Sequence, residues 1–142
     1  MPTLEDTKQY LPPIVCDIAE IIGFPATENL IKAIGGTSFS FGQGIRDTPR
    51  LRILYGAIGQ PNTHKLLAML GGEIEYIPRC DKALKLMRNS RFKTEYLALR
   101  ESGTGATMAV TILAPKYGIS DRSAWKIINS HEDPITRQKD LF

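Results

Sequence analysis

The spacing of apolar residues along the chain predicts a mainly helical protein. Apolar residues recur every three to four positions over residues 12–23 and again over residues 25–34, which is the period of a helix with one buried face. Gly35 and Gly36 then favour the end of the second helix. Residues 37–41 (TSFSF) alternate with a period of two, which predicts a short strand. The polar residues before the first helix are expected to form a loose arm.

This unit of helices, Gly-Gly and strand occurs twice. The stretch IGFPATENLIKAIGG at residues 22–36 returns 36 positions later as IGQPNTHKLLAMLGG, with seven of fifteen residues identical, and the strand-like EIEYI follows. One copy is too small to bury its own apolar face, so the copies should pack on each other or on a second chain. The strands should pair within the chain or across a dimer. The predicted dimerisation region covers residues 1–78, with repeats at about 12–41 and 48–77.

The rest of the chain predicts a helix-turn-helix. Ala114 is small where two helices must approach, Gly118 suits a turn that needs positive φ, and Ser120 is a good N-cap. Pro115 interrupts this pattern, so the first helix should start late, near Thr111, or be kinked. The predicted segments are a basic helical connector (79–104, with helices over 79–88 and 92–99 that are separate or continuous), a helix-turn-helix (105–130) and a flexible tail (131–142).

The second helix of this motif has an inward and an outward face. Ala124 and Ile127 lie three apart and should face the core. The outward residues are the candidate DNA contacts: Ser120, Asp121, Arg122, Ser123, Trp125, Lys126 and Asn129. Arg122 is suited to a guanine edge and Lys126 to a phosphate, whereas Ser120 is also needed as a cap and Trp125 is as often a packing residue. A plain helical hairpin in a core would have the same glycine and apolar spacing.

Charge is distributed unevenly between the two halves. Residues 1–78 hold six Lys and Arg against eight Asp and Glu, and residues 79–142 hold twelve against seven. The second half therefore suits a polyanion, although a solvated basic face would have the same composition. With 142 residues, 42% of them hydrophobic, the chain has the composition of a soluble globular protein of one domain or two small ones.

Several classes of function are not predicted by these residues. No apolar run approaches the roughly 20 residues of a membrane helix, and no signal peptide is apparent, so we expect a cytoplasmic protein. Cys16 and Cys80 belong to no CxxC pair, and His64 and His131 have no second ligand at metal-binding spacing. We therefore predict no metal, no cofactor and no catalytic residue, and we do not expect an enzyme.

The Gly-Gly-strand stretch GGEIEYIPR (residues 71–79), together with the helix-turn-helix, resembles the Mor/C family of transcription activators from phage Mu and related prophages. The resemblance implies a homodimer whose Gly-Gly-strand segments meet near the two-fold axis. Two helix-turn-helix units would enter successive major grooves of an imperfect inverted repeat. It also implies that the strand approaches DNA between the half-sites, which adds Gly71, Gly72, Tyr76, Pro78 and Arg79 to the candidate DNA contacts.

Three features depart from the family pattern. They are Pro115, a long segment between residues 79 and 117, and the acidic Glu73 and Glu75 in the strand, which would repel phosphate unless they face the partner chain.

The expected function is therefore that of a sequence-specific double-stranded DNA-binding transcription regulator. It would act as an activator of phage or mobile-element genes at the nucleoid of a bacterial host, where activation also requires contact with host RNA polymerase. Two alternatives stay open. One is a repressor or other DNA-site binder of a mobile element, and the other is a protein-interaction module with a degenerate helix-turn-helix.

Overall fold

The protein is mainly helical with one small antiparallel sheet, as the apolar pattern predicts. A computed structural model describes residues 2–130, so the predicted tail at residues 131–142 lies outside the described residues. The chain divides into two compact units, which we call the N-terminal unit (Thr3–Ala83) and the C-terminal unit (Leu84 onward, with Pro2). The elements are a 3-10 helix (Leu4–Tyr10), α1 (Pro13–Ile22), α2 (Phe24–Ile34), β1 (Thr37–Ser40), α3 (Pro49–Leu70), β2 (Ile74–Ile77), α4 (Asp81–Glu101), α5 (Ala106–Lys116) and α6 (Asp121–Asn129).

The helical part of the repeat recurs in the structure with the same local contacts. Gly23, between α1 and α2, has φ of +86°, and Gly59 has φ of +82° inside α3. Gly59 therefore divides α3 into two helical segments that correspond to α1 and α2. The hydroxyl of Thr27 donates to the Gly23 carbonyl at 2.8 Å, and Thr63 donates to Gly59 at 2.7 Å. These paired contacts are what the 36-residue repeat predicts.

The two strands pair with each other inside the chain, in a register that the repeat makes symmetric. Ser38 lies opposite Tyr76 and Ser40 opposite Ile74, and a shift of 36 residues converts one pair into the other. Phe39 lies opposite Glu75, and the same shift exchanges these two residues. The strands therefore form a ribbon with the topology of a two-fold symmetric dimer contained in one chain. Of the two pairings that the sequence left open, this structure has the one within the chain.

The glycine pairs provide close backbone approach at both ends of the ribbon. The amide of Gly36 donates to the Ile77 carbonyl at 2.6 Å, and the amide of Gly72 donates to Phe41 at 2.7 Å. Both glycines have φ near +85°, namely +86° and +85°. A Cβ on Gly36 would lie 2.7 Å from Arg79 Cγ, and one on Gly72 would lie 2.8 Å from Gln43 Nε2. Neither position accommodates a side chain without rearrangement.

The core of the N-terminal unit lies between the helices and the inner face of the ribbon. It consists of Ile18, Ile22, Leu30, Ile34, Phe39, Phe41, Leu54, Ile58, Leu66, Leu70 and Ile77. Each such side chain, once fully buried, contributes about 1.5–3 kcal/mol relative to exposure.

The prediction of a loose arm over residues 1–11 is wrong. Leu4 is fully buried in the 3-10 helix, which packs against α2, and Thr7 bonds to the Leu4 carbonyl.

The C-terminal unit has a core of its own, built from three helices. Phe92 and Tyr96 of α4 pack with apolar residues of α5 and α6. The segment predicted as a connector (79–104) therefore supplies core residues to this unit, and the structural division falls within α4 rather than at residue 79. Helix α4 is continuous, which is one of the two predicted forms. The hydroxyl of Thr94 donates to the Ser90 carbonyl at 2.9 Å where the two predicted helices meet.

Candidate nucleic-acid interface

A tight turn joins α5 to α6, and its backbone amides donate hydrogen bonds to carbonyls at the C-terminal end of α5. Gly118 has φ of +65°, which confirms the predicted need for glycine there. The amides of Gly118 and Ile119 donate to the carbonyls of Pro115 and Ala114 at 3.1 and 3.0 Å. These bonds satisfy carbonyls that a helix C-terminus otherwise leaves free. Backbone hydrogen bonds therefore set the direction in which the chain enters α6.

Pro115 lies in the last turn of α5. The predicted late start near Thr111 is wrong, because α5 begins at Ala106 and continues through Pro115 to Lys116. Proline removes the one amide that would donate to the Thr111 carbonyl, and Thr111 is an exposed residue. A proline this close to the C-terminal end interrupts little of the helical hydrogen bonding.

The start of α6 is capped by the predicted residue. The amide of Ser123 donates to Ser120 Oγ at 3.1 Å, and Ser120 Oγ also lies 3.1 Å from Ser123 Oγ. Asp121 occupies the first turn, where a negative charge is favoured by the helix dipole. These contacts give Ser120, Asp121 and Ser123 a structural role at the helix start, in addition to any role in binding.

The inward face of α6 is seated on the core of the C-terminal unit. Ala124 is fully buried and Ile127 is 9% exposed, as their spacing predicts. Both belong to the same buried apolar cluster as Val110 and Leu113 of α5. Trp125 is half-buried and packs against the same core, so part of its surface is used for packing. The opposite face of α6 is thereby fixed toward solvent.

Three polar residues lie along that solvent face. Arg122, Lys126 and Asn129 are spaced four and three apart, which places them on one side of a helix, and all three are exposed. Within residues 2–130, none of these three side chains takes part in a hydrogen bond or ion pair. One row thus presents a guanidinium, an ammonium and an amide, which are groups that recognise base edges and phosphates.

Polar contacts between side chains fasten the helices of this unit together. Lys116 Nζ lies 2.9 and 3.0 Å from the two carboxylate oxygens of Glu95, and Lys93 Nζ donates to the Ser130 carbonyl at 2.6 Å. Burial, followed by the hydrogen bond and charge of Glu95, raises the pKa of Tyr117 to about 12. The Tyr117 ring also meets Phe92 edge to face, with centroids 5.6 Å apart. The turn before α6 is therefore held to α4.

The remaining predicted site residues lie in the N-terminal unit, on or beside the ribbon. Gly71 caps α3, Gly72 begins the turn into β2, and Arg79 lies past its end with Nε 3.6 Å from Asp81. Tyr76 is 55% exposed, and Pro78 is half-buried. These residues are thus a separate group from those of α6.

The outward face of the ribbon carries no charged side chain. Strand alternation and register place Ser38, Ser40, Ile74 and Tyr76 on this face. Glu75 lies on the other face, opposite Phe39. Glu75, one of the two acidic residues that depart from the pattern of the resemblance, therefore does not adjoin Tyr76 on its own face.

The basic residues of α4 were not among the site residues predicted from the sequence. An open groove of about 340 Å³ separates α4 from α6 in the C-terminal unit. Its polar lining includes Lys85, Arg88 and Asn89 of α4 with Ser123 and Lys126 of α6. The signal was present in the basic composition of α4, but the sequence alone did not indicate which basic residues would face α6.

Other kinds of site find no support among the described residues. Within residues 2–130, no three His, Cys, Asp or Glu side chains are placed to hold a metal ion. Burial, followed by the charges of Asp81 and Cys16, raises the pKa of the Cys80 thiol, which lowers the fraction of reactive thiolate. No described helix is both long enough and apolar enough to cross a membrane.

Comparison with known proteins yields no relative: no protein-family model, no curated protein and no solved structure matches this chain.

Proposed function

We propose that this chain is a sequence-specific double-stranded DNA-binding transcription regulator that inserts α6 into a major groove. The observation that carries the proposal is the exposed row of Arg122, Lys126 and Asn129. This row lies on a helix whose opposite face is buried and whose start is capped by Ser120. A rigid helix with basic and amide groups on its free face has the chemistry of a recognition helix.

The charge of the C-terminal unit supports this proposal. Residues 84–130 contain eight Lys and Arg against three Asp and Glu, and residues 3–83 contain eight against nine. The basic excess therefore belongs to the unit that carries α6. A polyanion with closely spaced phosphates is attracted by such an excess, and the attraction weakens as salt is added.

The roles of the individual side chains follow from their chemistry. Arg122 would bond a guanine edge with two parallel hydrogen bonds, and Lys126 would contact a phosphate. Asn129 would bond an adenine edge or a phosphate. Ser120 and Ser123 would contribute less, because each hydroxyl already takes part in the cap.

The ribbon is the second element that we assign to DNA, as the family resemblance implies. Its outward face is uncharged and exposes Ile74 and Tyr76, which are 71% and 55% exposed. Apolar and aromatic side chains on an extended element can enter a minor groove, while Arg79 beside it could contact a phosphate. The assignment of the ribbon to DNA comes from the resemblance to the Mor/C family, and that resemblance stays a prediction. An activating role, contact with host RNA polymerase and a cytoplasmic location also stay predictions.

A protein-interaction module is the second candidate. Exposed apolar residues in the N-terminal unit favour it, since Ile45, Ile53 and Ile74 are 64%, 46% and 71% exposed. A promoter reporter separates the regulatory classes, because an activator raises and a repressor lowers transcription from the bound site.

The proposal is tested by measuring the affinity of the purified protein for a labelled duplex over a range of salt concentrations. Lys126→Ala should weaken binding to all sequences alike and reduce the slope of log affinity against log salt by about one. Lys65→Ala is the matched control, because Lys65 is an exposed helical lysine of the N-terminal unit. Arg122→Ala should cost about 1–3 kcal/mol on the preferred site and little on other sequences. Absence of duplex binding at low salt would contradict the proposal and favour the protein-interaction module.

A further inference from the structure

The groove between α4 and α6 concentrates positive charge from two helices. Lys85 and Arg88 lie three apart in α4, and Lys126 faces them from α6. No Asp or Glu is among the described residues that line this groove. By contrast, Lys116 in the same unit is paired with the carboxylate of Glu95. The groove cations repel one another, and this repulsion would be relieved by an anion from outside the chain.

The two α4 cations are arranged differently from each other. The guanidinium of Arg88 is oriented by Asn89 Oδ1, which accepts from its Nη2 at 2.9 Å and its Nε at 3.2 Å. The Arg88 residue is also half-buried. Lys85 is exposed, and its side chain makes no hydrogen bond or ion pair within residues 2–130. One cation is thus held in place and the other is free to meet a ligand.

Lys126 connects this groove to the exposed row of α6, since it belongs to both. A nucleic-acid strand beside α6 would therefore pass over a continuous basic surface that extends onto α4. The groove is open to solvent and is not an enclosed cavity, as a passing strand requires.

We propose that the groove between α4 and α6 is a phosphate-binding site in which Lys85 and Arg88 hold the DNA backbone flanking the major groove that α6 enters. This inference rests on the proposed function and adds a second helix to the DNA contact. The ligand chemistry is that of a phosphodiester oxyanion, with Arg88 and Lys85 as donors. Because a phosphate carries no sequence information, these contacts set the position of α6 rather than its base preference.

The test measures duplex affinity against salt for Lys85→Gln and Arg88→Gln, with Lys65→Gln as the control. Each phosphate contact contributes about 0.9 to the slope of log affinity against log salt. Both groove variants should therefore lose about 0.9 of slope on every sequence, whereas the control keeps the slope of the unmodified protein. Circular dichroism should be the same for all four proteins, which checks that each variant is folded, because none of the substituted side chains is part of a buried core.

A second measurement locates the contact on the DNA. Duplexes are prepared in which one phosphate at a time is replaced by an uncharged methylphosphonate. At one flanking position the replacement should weaken binding of the unmodified protein and leave Lys85→Gln unaffected. If each replacement lowered the duplex affinity of the unmodified protein and of Lys85→Gln by the same factor at every position, the proposed contact would be overturned.

The remaining outcomes separate this inference from the proposed function. If the unmodified protein binds no duplex, both fail. If it binds and Lys126→Ala reduces the slope while the groove variants match Lys65→Gln, the groove contact alone fails. Inorganic phosphate is compared with chloride at equal ionic strength for the same purpose. In the last outcome, phosphate raises the unfolding temperature of the unmodified protein but not that of Lys85→Gln, while the salt slope of duplex binding is the same in both proteins. That result would assign the groove to a small phosphate ligand and overturn the contact with the DNA backbone.

Discussion

At the scale of single residues, Gly36 and Gly72 hold equivalent and demanding positions. Each has a positive φ, each donates its amide to the end of the opposite strand, and each would bring a Cβ within 3 Å of a side chain. The contacted side chains, Arg79 and Gln43, are themselves 36 residues apart. The repeat therefore extends to equivalent contacts made by Gln43 and Arg79, which are not among the seven residues that are identical in the two copies.

This equivalence gives a matched prediction. Gly36→Ala and Gly72→Ala should each lower the free energy of unfolding by about 1–3 kcal/mol, and by similar amounts, because both substitutions force alanine into the left-handed region. Gly56→Ala is the control. Gly56 lies in helix α3 with open space around it, so alanine there should raise the unfolding free energy by up to about 1 kcal/mol. Urea unfolding of the three variants checks this, and unchanged stability of both Gly36→Ala and Gly72→Ala would contradict it.

Features set by local chemistry could be predicted from the sequence. Gly118, Ser120 and the Gly-Gly caps are determined by a few neighbouring residues, and the structure confirms each of them. The burial of Leu4 could not be foreseen, because it depends on packing against α2 and not on any local period. The groove basic residues are a similar case, since only the packing of α4 near α6 brings them together.

At the scale of elements, the turn between α5 and α6 is fastened to α4 through Tyr117. Its pKa of about 12 means that the folded state retains the phenolic proton more tightly than the unfolded chain, where tyrosine titrates near pH 10. The stabilisation from this proton is complete below about pH 10. It is lost as the pH rises from about 10 toward 12.

Tyr117→Phe removes this titration. The unfolding free energy of the unmodified protein should therefore fall more steeply between about pH 10 and 12 than that of Tyr117→Phe. Tyr76→Phe, on the outward face of the ribbon, serves as the control and should follow the unmodified protein. Denaturant unfolding at a series of pH values measures the difference. Parallel pH profiles for all three proteins would show that Tyr117 does not fasten the turn.

Helix boundaries and strand pairing were predicted less well where one sequence pattern was compatible with two structures. Pro115 in the sequence indicated a late or kinked helix, yet its place in the last turn lets α5 begin at Ala106. The ribbon pairing was open because an alternating pattern specifies faces and not partners. The symmetric register explains why both a pairing within the chain and one across a dimer agree with the sequence.

At the scale of the whole molecule, the duplicated N-terminal unit contains within one chain the strand pairing that the family resemblance assigns to a homodimer. The ribbon therefore needs no second chain to be completed. Within residues 2–130 the C-terminal unit contains a single α6, so under the proposed function one chain would supply one recognition helix. An inverted repeat of two half-sites consequently requires two copies of this chain.

The stoichiometry on DNA follows from this count. Sedimentation of the protein with a duplex that carries two half-sites should give a complex with two chains per duplex. Saturation at one chain on the two-site duplex would contradict the homodimeric arrangement, and would indicate that a single chain recognises the whole site.

The measurement that tests the central claim most directly is random-site selection of double-stranded DNA at about physiological salt, with the unmodified protein and Arg122→Ala in parallel. The unmodified protein should enrich an inverted repeat. Arg122→Ala should enrich the same repeat with one base position relaxed in each half-site, because a single guanine contact has been removed. Enrichment of no sequence above background would contradict recognition of DNA by α6.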